Sequence, residues 1–143
     1  MAYIEVRHEF KKCQMGDTEI IANNDLSFDI ERGQLTVILG PSGAGKSTVL
    51  NILGGMDSPT NGQIVVDGKG IATYNARQLT TYRRQDVGFV FQFYNLIPNL
   101  TTLENVEMAT ALTSDALDPQ ATLASVGLSA RLDNFPAQLS GGE

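Results

Sequence analysis

LTVILGPSGAGKST, residues 35–48, decides the fold of this chain. A short apolar run at 35–39 ends on Gly40, and the stretch that follows, from Gly40 through Pro41, Ser42, Gly43, Ala44, Gly45 and Lys46 to Ser47, spells G-x-x-x-x-G-K-S. A helix-like segment continues from Thr48 to about residue 54. This is the phosphate-binding loop pattern in the strand–loop–helix setting that gives it meaning. The chemistry dictates the residue types. Gly40, Gly43 and Gly45 allow a backbone curl and a close ligand approach that a Cβ would forbid. The N–H groups of the loop converge on an anion, helped by the positive end of the following helix. Lys46 sets a compact positive charge on the β- and γ-phosphates, and the Ser47 hydroxyl is a Mg²⁺ ligand. The stretch predicts a nucleoside triphosphate site, and the wholly apolar run before it predicts a strand covered on both faces.

The rest of the composition narrows the class. The chain has 143 residues, 42% of them hydrophobic, which suits one globular domain with a sizeable core. A net charge of −6 without a Lys/Arg cluster argues against nucleic acid as a partner. No apolar run reaches the roughly 18 residues that a membrane span needs, and no signal peptide opens the chain. Cys13 is the one cysteine, so no disulfide framework or thiolate metal site is expected, and a reducing cytosol is.

Outward from the loop, β-forming residues at 3–10 and the alternating Leu26, Phe28 and Ile30 read as strands. A turn over residues 15–18 reverses the chain into a returning strand at 19–22. Arg32-Gly33 is a further turn. After the loop helix, a dense turn signal at 58–62 precedes a strand at 63–66, the Asp67-Gly68 turn, a helix near 76–84 and a strand at 87–91. Beyond residue 92 the pattern is helical. Thr101 and Glu104 form a capping box opening a helix to about Leu112. Asp118-Pro119 pairs an N-cap with proline at the first helical position, Gly127 supplies the stop, and Ser129 caps a short helix ending before Pro136.

At its far end the sequence reads Leu139, Ser140, Gly141, Gly142, Glu143. With the phosphate loop some 95 residues upstream and Phe91-Gln92 between, the chain resembles the ATP-binding cassette (ABC) transporter ATPases. Their signature is Leu-Ser-Gly-Gly followed by Gln or Glu. The segment from Val87 to Val106 is similar to the lipoprotein-releasing and macrolide-exporting branch. The resemblance implies an α/β P-loop NTPase of ABC type, with an antiparallel β subdomain and a partial RecA-like core over residues 1–92. A helical signature subdomain over 93–143 follows, cut short. By resemblance, residues 40–48 are the Walker A loop and Gln92 is the Q-loop glutamine, which reaches the Mg²⁺ or the attacking water. Lys46 and Gln92 are then the catalytic candidates, with Ser47 and Gln92 as metal ligands. Residues 93–99 would face a membrane-spanning permease subunit. Residues 139–143 would meet the γ-phosphate held by the opposite subunit of a head-to-tail homodimer.

The expected activity is ATP hydrolysis driving export or membrane extraction of a substrate, with the ATPase on the inner face of the cell membrane. The alternatives are a non-transport regulatory or division-associated ATPase of the same type, and a nucleotide-binding fragment without catalysis. A P-loop kinase or GTPase is set aside because neither carries Ser-Gly-Gly at this distance. The chain departs from the family in two ways. Where the family stacks adenine on an aromatic ring, ungapped counting gives Cys13, an adenine-side position of low stacking power, and Phe10 reads as core instead. The Walker B carboxylates and the switch histidine have no counterpart: His8 lies in the first strand, and Glu104 and Asp86 read as cap and surface. The resemblance therefore implies the first portion of an ATPase, inactive by itself. It also places the strands at 35–39 and 87–91 in one parallel sheet without being neighbours, which predicts exposed edges and either exchange between chains or further polypeptide.

Overall fold

The computed structural model describes residues 2–91, 93–113 and 115–143. It divides into two units, Met1–Gly88 and Phe89–Glu143.

The first unit is built on a long hairpin. β1 (Ala2–Met15) and β2 (Thr18–Glu31) pair antiparallel around Gly16 and Asp17, so the two expected return segments form one continuous strand. Chain reversal needs the left-handed backbone at Gly16, where φ is +60°. β3 (Asn61–Val66) adds to the other edge of β1, and β4 (Lys69–Gly70) follows the Asp67-Gly68 turn, for a sheet order β2-β1-β3-β4. The register sets Ile4 opposite Val66 and Val6 opposite Ile64, which puts β-branched side chains on one face. Over that face lies α1 (Lys46–Leu53), whose buried Val49 and Ile52 are three residues apart and share a helical stripe. Val6, Ile52, Ile64, Val66, Ile71 and Tyr82 form the core cluster. Each such aliphatic side chain, fully buried, contributes about 1.5–3 kcal/mol. Tyr82 comes from α2 (Ala76–Gln85) and donates its hydroxyl to the Leu53 carbonyl at 2.8 Å, tying α2 to the end of α1. Asn75 opens α2 with a reciprocal capping box to Gln78.

In the second unit, α3 (Thr102–Thr110) starts with the expected capping box: Glu104 N–H donates to Thr101 Oγ1, and Thr101 N–H to Glu104 Oε2. Asp118 caps α4 (Pro119–Ser125) by accepting from Ala121 N–H at 2.7 Å. The Asn105 amide accepts from Ile97 N–H and donates to the carbonyls of Ile97, Leu100 and Thr101, organising the loop before α3.

Two expected strands are absent. Residues 35–39 and 87–91 pair with no strand among the described residues. A strand persists only where a neighbour takes up its N–H and C=O groups, and the sheet formed by β1 to β4 among the described residues is antiparallel and does not include them. Leu35, Val37 and Leu39 are 92%, 69% and 86% exposed as a result. Two local expectations also shift. α3 stops at Thr110, and Ser129 lies inside a 3₁₀ turn (Ser129–Arg131) whose cap position is Leu128, so its hydroxyl is not the cap.

Candidate functional site

Residues 40–45 curl into α1, and Gly45 is its N-cap, with φ +79°. That conformation is one L side chains rarely adopt. A Cβ there would also stand 2.3 Å from the Ala22 carbonyl oxygen and 2.4 Å from Asn23 Oδ1, so only glycine serves. Ala44 N–H donates to the Pro41 carbonyl at 3.3 Å, closing the loop on itself. Lys46 Nζ spans it, donating to the carbonyls of Gly40 (2.9 Å) and Pro41 (2.6 Å). The loop borders a concavity of about 330 Å³, lined by Ser42, Gly43, Ala44, Gly45, Lys46, Ser47 and Thr48, with Ile20, Ile21 and Ala22 of β2 as its other wall. No acidic residue occupies the first turn of α1, so the positive end of the helix is not neutralised there. The start of a helix with no acidic residue in its first turn, a lysine on a flexible stem and an open concavity suit a polyphosphate.

The donor set suits magnesium only in company with such a ligand. Ser47 brings a hard oxygen in the first turn of α1, and no cluster of three or more His, Cys, Asp or Glu capable of holding a metal exists among the described residues. Mg²⁺ keeps most of its ligands as water and phosphate oxygen, so one hydroxyl beside a bound phosphate chain is a fitting share.

Cys13 is half-buried on β1, directly across from Ile20. The concavity is walled by Ile20 and Ile21, 44% and 53% exposed, and does not include Cys13. The hairpin register is the signal that would have found these two isoleucines: once Gly16-Asp17 is the turn, residue 20 faces residue 13. His8 sits at a bulge with its Nδ1 2.7 Å from Asp25 Oδ1, away from the loop lining, while Asp86 pairs with Lys69 at 3.4 Å.

Gln92 lies outside the described residues. Near it in sequence, the Phe89 and Phe91 rings stack with centroids 5.3 Å apart, and Phe93 and Tyr94 are 78% and 69% exposed. In the same unit the turn at Leu139, Ser140, Gly141, Gly142 and Glu143 is held from three sides. Glu143 Oε2 accepts from Ser140 N–H at 2.8 Å, Glu143 N–H donates to the Ser140 carbonyl, and Arg131 Nε donates to Glu143 Oε1 at 2.9 Å. The Ser140 N–H, with its hydroxyl and Arg131, holds the Glu143 carboxyl down at about 2. Tyr94 donates its hydroxyl to the Gly141 carbonyl at 3.2 Å. Sequence reading missed Tyr94 and Arg131 in this arrangement. The Ser140–Glu143 spacing, which is that of a capping box, was the available clue.

Comparison with known proteins gives the family and the fold. The family model described as ABC transporter matches residues 23–143. The chain is 44% identical over 138 residues to the macrolide export ATP-binding/permease protein MacB of Brucella abortus, covering 93% of this chain and 21% of that protein. It is 38% identical over 149 residues to the lipoprotein-releasing system ATP-binding protein LolD of Shewanella frigidimarina, covering 99% of this chain and 62% of that protein. Among solved structures, the ATP-binding cassette MJ0796, a dimer in a post-hydrolysis state bound to ADP and Pi, superposes with a TM-score of 0.86 at 36% identity, over 97% of this chain and 64% of that one. The chain thus spans less than two thirds of these relatives. The P-loop fold of ABC type is borne out, and this chain belongs to the ABC transporter family.

Proposed function

We propose that the chain is the nucleotide-binding portion of an ABC ATPase that powers export or membrane extraction of a substrate through a separate membrane-spanning subunit. The observation that carries the reading is the Gly45-capped loop, with Lys46 across it and an open concavity beside the unneutralised start of α1. MgATP is the ligand: its phosphates lie against the N–H groups of residues 43–48, Lys46 turns from the loop carbonyls to the β- and γ-phosphates, and Ser47 supplies an oxygen to Mg²⁺. The ion's chemistry is to neutralise charge developing on the transferred phosphoryl group. The Ile20-Ile21 wall receives the sugar and base end in place of a stacked ring, with Cys13 beside Ile20 on the neighbouring strand. In the whole ATPase Gln92 would reach the Mg²⁺ or the attacking water, and residues 139–143 would bind the γ-phosphate held by a second subunit. The branch of transporter is supported by the likeness to proteins named LolD and MacB. A cytoplasmic, membrane-peripheral location goes with it, and no helix among the described residues is long and apolar enough to cross a membrane.

No carboxylate lines the concavity, so the 143 residues bind nucleotide without turning it over. Titration of a fluorescent ATP analogue with Mg²⁺ against the chain and its Lys46→Ala variant tests the binding, and steady-state phosphate release tests the turnover. Equal affinity for both proteins would overturn the reading.

A further inference from the structure

Beneath the phosphate loop lies a polar pair that nucleotide contacts do not explain. Glu9 of β1 and Asn23 of β2 are 2% and 3% exposed. Neither Glu9 carboxylate oxygen and neither polar atom of the Asn23 amide makes a well-aligned hydrogen bond among the described residues, although the two side chains lie close enough for the Asn23 amide to act on the Glu9 carboxyl. The space that Glu9 shares with Val6, Val49, Ile52, Leu53 and Ile64 is too small for a water molecule to supply one. α1 and β3 thus offer Glu9 only aliphatic side chains. The charged groups near it are Lys11 of its own strand and Asp57 from the segment after α1, which pair with each other at 2.6 Å. Burial raises the Glu9 carboxyl above its ordinary range, opposed by the neighbouring Asn23 amide and by Lys11.

Two such residues weaken a core. An apolar pair of the same shape packs there at no hydrogen-bonding loss and stabilises the fold. Polar side chains kept at that disadvantage point to a task in the site they adjoin. Here the adjoining site is the phosphate loop: Asn23 Oδ1 occupies the space into which any side chain at Gly45 would project.

We propose that Asn23 and Glu9 are positioning residues of the phosphate site, Asn23 bracing the Gly45 turn from beneath and Glu9 fixing the Asn23 amide, so that Lys46 and the first N–H groups of α1 face the phosphates. This rests on the nucleotide-binding reading given above. A carboxyl or an amide at position 9 can serve the Asn23 amide, whereas an aliphatic side chain cannot.

The test uses the 143-residue chain, a fluorescent ATP analogue with Mg²⁺, and thermal melting. The Glu9→Val/Asn23→Leu double variant is expected to melt higher than the parent while its affinity falls by about tenfold or more, and Glu9→Gln is expected to stay within about twofold of the parent. A merely structural pair would change melting and leave affinity alone. Parental affinity in the double variant, with Lys46→Ala still weakened, overturns the inference and leaves the nucleotide reading standing. An equal loss in Glu9→Gln overturns the role given to position 9. A parent that binds no better than Lys46→Ala overturns both readings. Where the double variant fails to melt cooperatively, Asn23→Leu alone decides, and parental affinity in that single variant overturns the inference.

Discussion

Two aliphatic runs in the first unit meet opposite fates. In β3, Ile64 and Val66 are 1% and 5% exposed, with β1 on one side, β4 on the other and α1 over the face. At 35–39, Leu35, Val37 and Leu39 are largely exposed. Both runs read as strands by residue type. What separates them is the supply of neighbours. β3 is antiparallel to a strand already held in a hairpin, whereas a parallel strand needs partners delivered by crossover connections from distant sequence. Hydrophobicity selects which residues seek burial, and pairing decides which obtain it.

The sharpest way to break this comparison is to cut into each run. Ile64→Ala removes a fully buried side chain and is expected to cost about 2–5 kcal/mol in urea unfolding. A cost near zero would mean that β3 is no better held than residues 35–39.

Next in size is the loop that leaves the unpaired run. Lys46 donates to two loop carbonyls, and in the proposed complex it exchanges them for phosphate oxygens. Hydrogen bonds to charged groups are worth about 1.5–3 kcal/mol, so Lys46→Ala should weaken ATP analogue binding roughly ten- to hundredfold. An unaltered dissociation constant by fluorescence titration would show that the loop binds nothing through this lysine.

Legibility in the sequence follows the same division. Local chemistry was readable: the Gly16 turn, the box at Thr101 and Glu104, Asp118 before Pro119, and the glycines of the phosphate loop each act over a few residues. Non-local chemistry was not. The 35–39 run is apolar enough for a buried strand, but its partners are not specified within it. The Ile20-Ile21 wall depends on hairpin register, and Glu9 and Asn23 are out of phase with the alternation of Ile4 and Val6 and of Leu26, Phe28 and Ile30, reaching the core only through the register shifts between Val6 and Lys12. Polar residues inside a core are where pattern reading fails, because the pattern records only the average solution.

Caps offer a milder test across the two units. Asn75 and Thr101 each anchor a reciprocal box, so Asn75→Ala and Thr101→Ala should each cost about 1 kcal/mol. Calorimetry should show each substitution lowering the transition of the unit that contains it. Both variants shifting one shared transition would show that the units melt as one.

Acidity separates the regions more gently. The Glu9 carboxyl is raised by burial from an ordinary value of 4.5, so the fold favours its protonated form. Its contribution is fully present below 4.5 and is lost as pH rises through the folded value; Glu9→Gln should flatten that part of the stability profile. Glu143, held down to about 2, has the opposite sign. The Ser140 turn should persist as pH falls past 4.5 and open only as it approaches 2, followed by the Ser140 amide resonance. An opening centred near 4.5 would mean that the carboxylate does not hold the turn.

The smallest expected change in stability belongs to Leu39→Ser. The side chain is 86% exposed and lies in no helix or strand, so removing it forfeits almost no burial, and surface substitutions away from special features stay within about ±0.5 kcal/mol. Its effect should appear in association instead. Residues 35–39 present unsatisfied apolar surface beside backbone groups without a strand partner, the combination that recruits a second chain. Light scattering across a concentration series should show the parent associating and Leu39→Ser doing so less, at an unchanged urea midpoint. A marked loss of stability with unchanged association would mean that the run is buried in solution after all, by a pairing that brings residues 35–39 into a sheet as β3 already is.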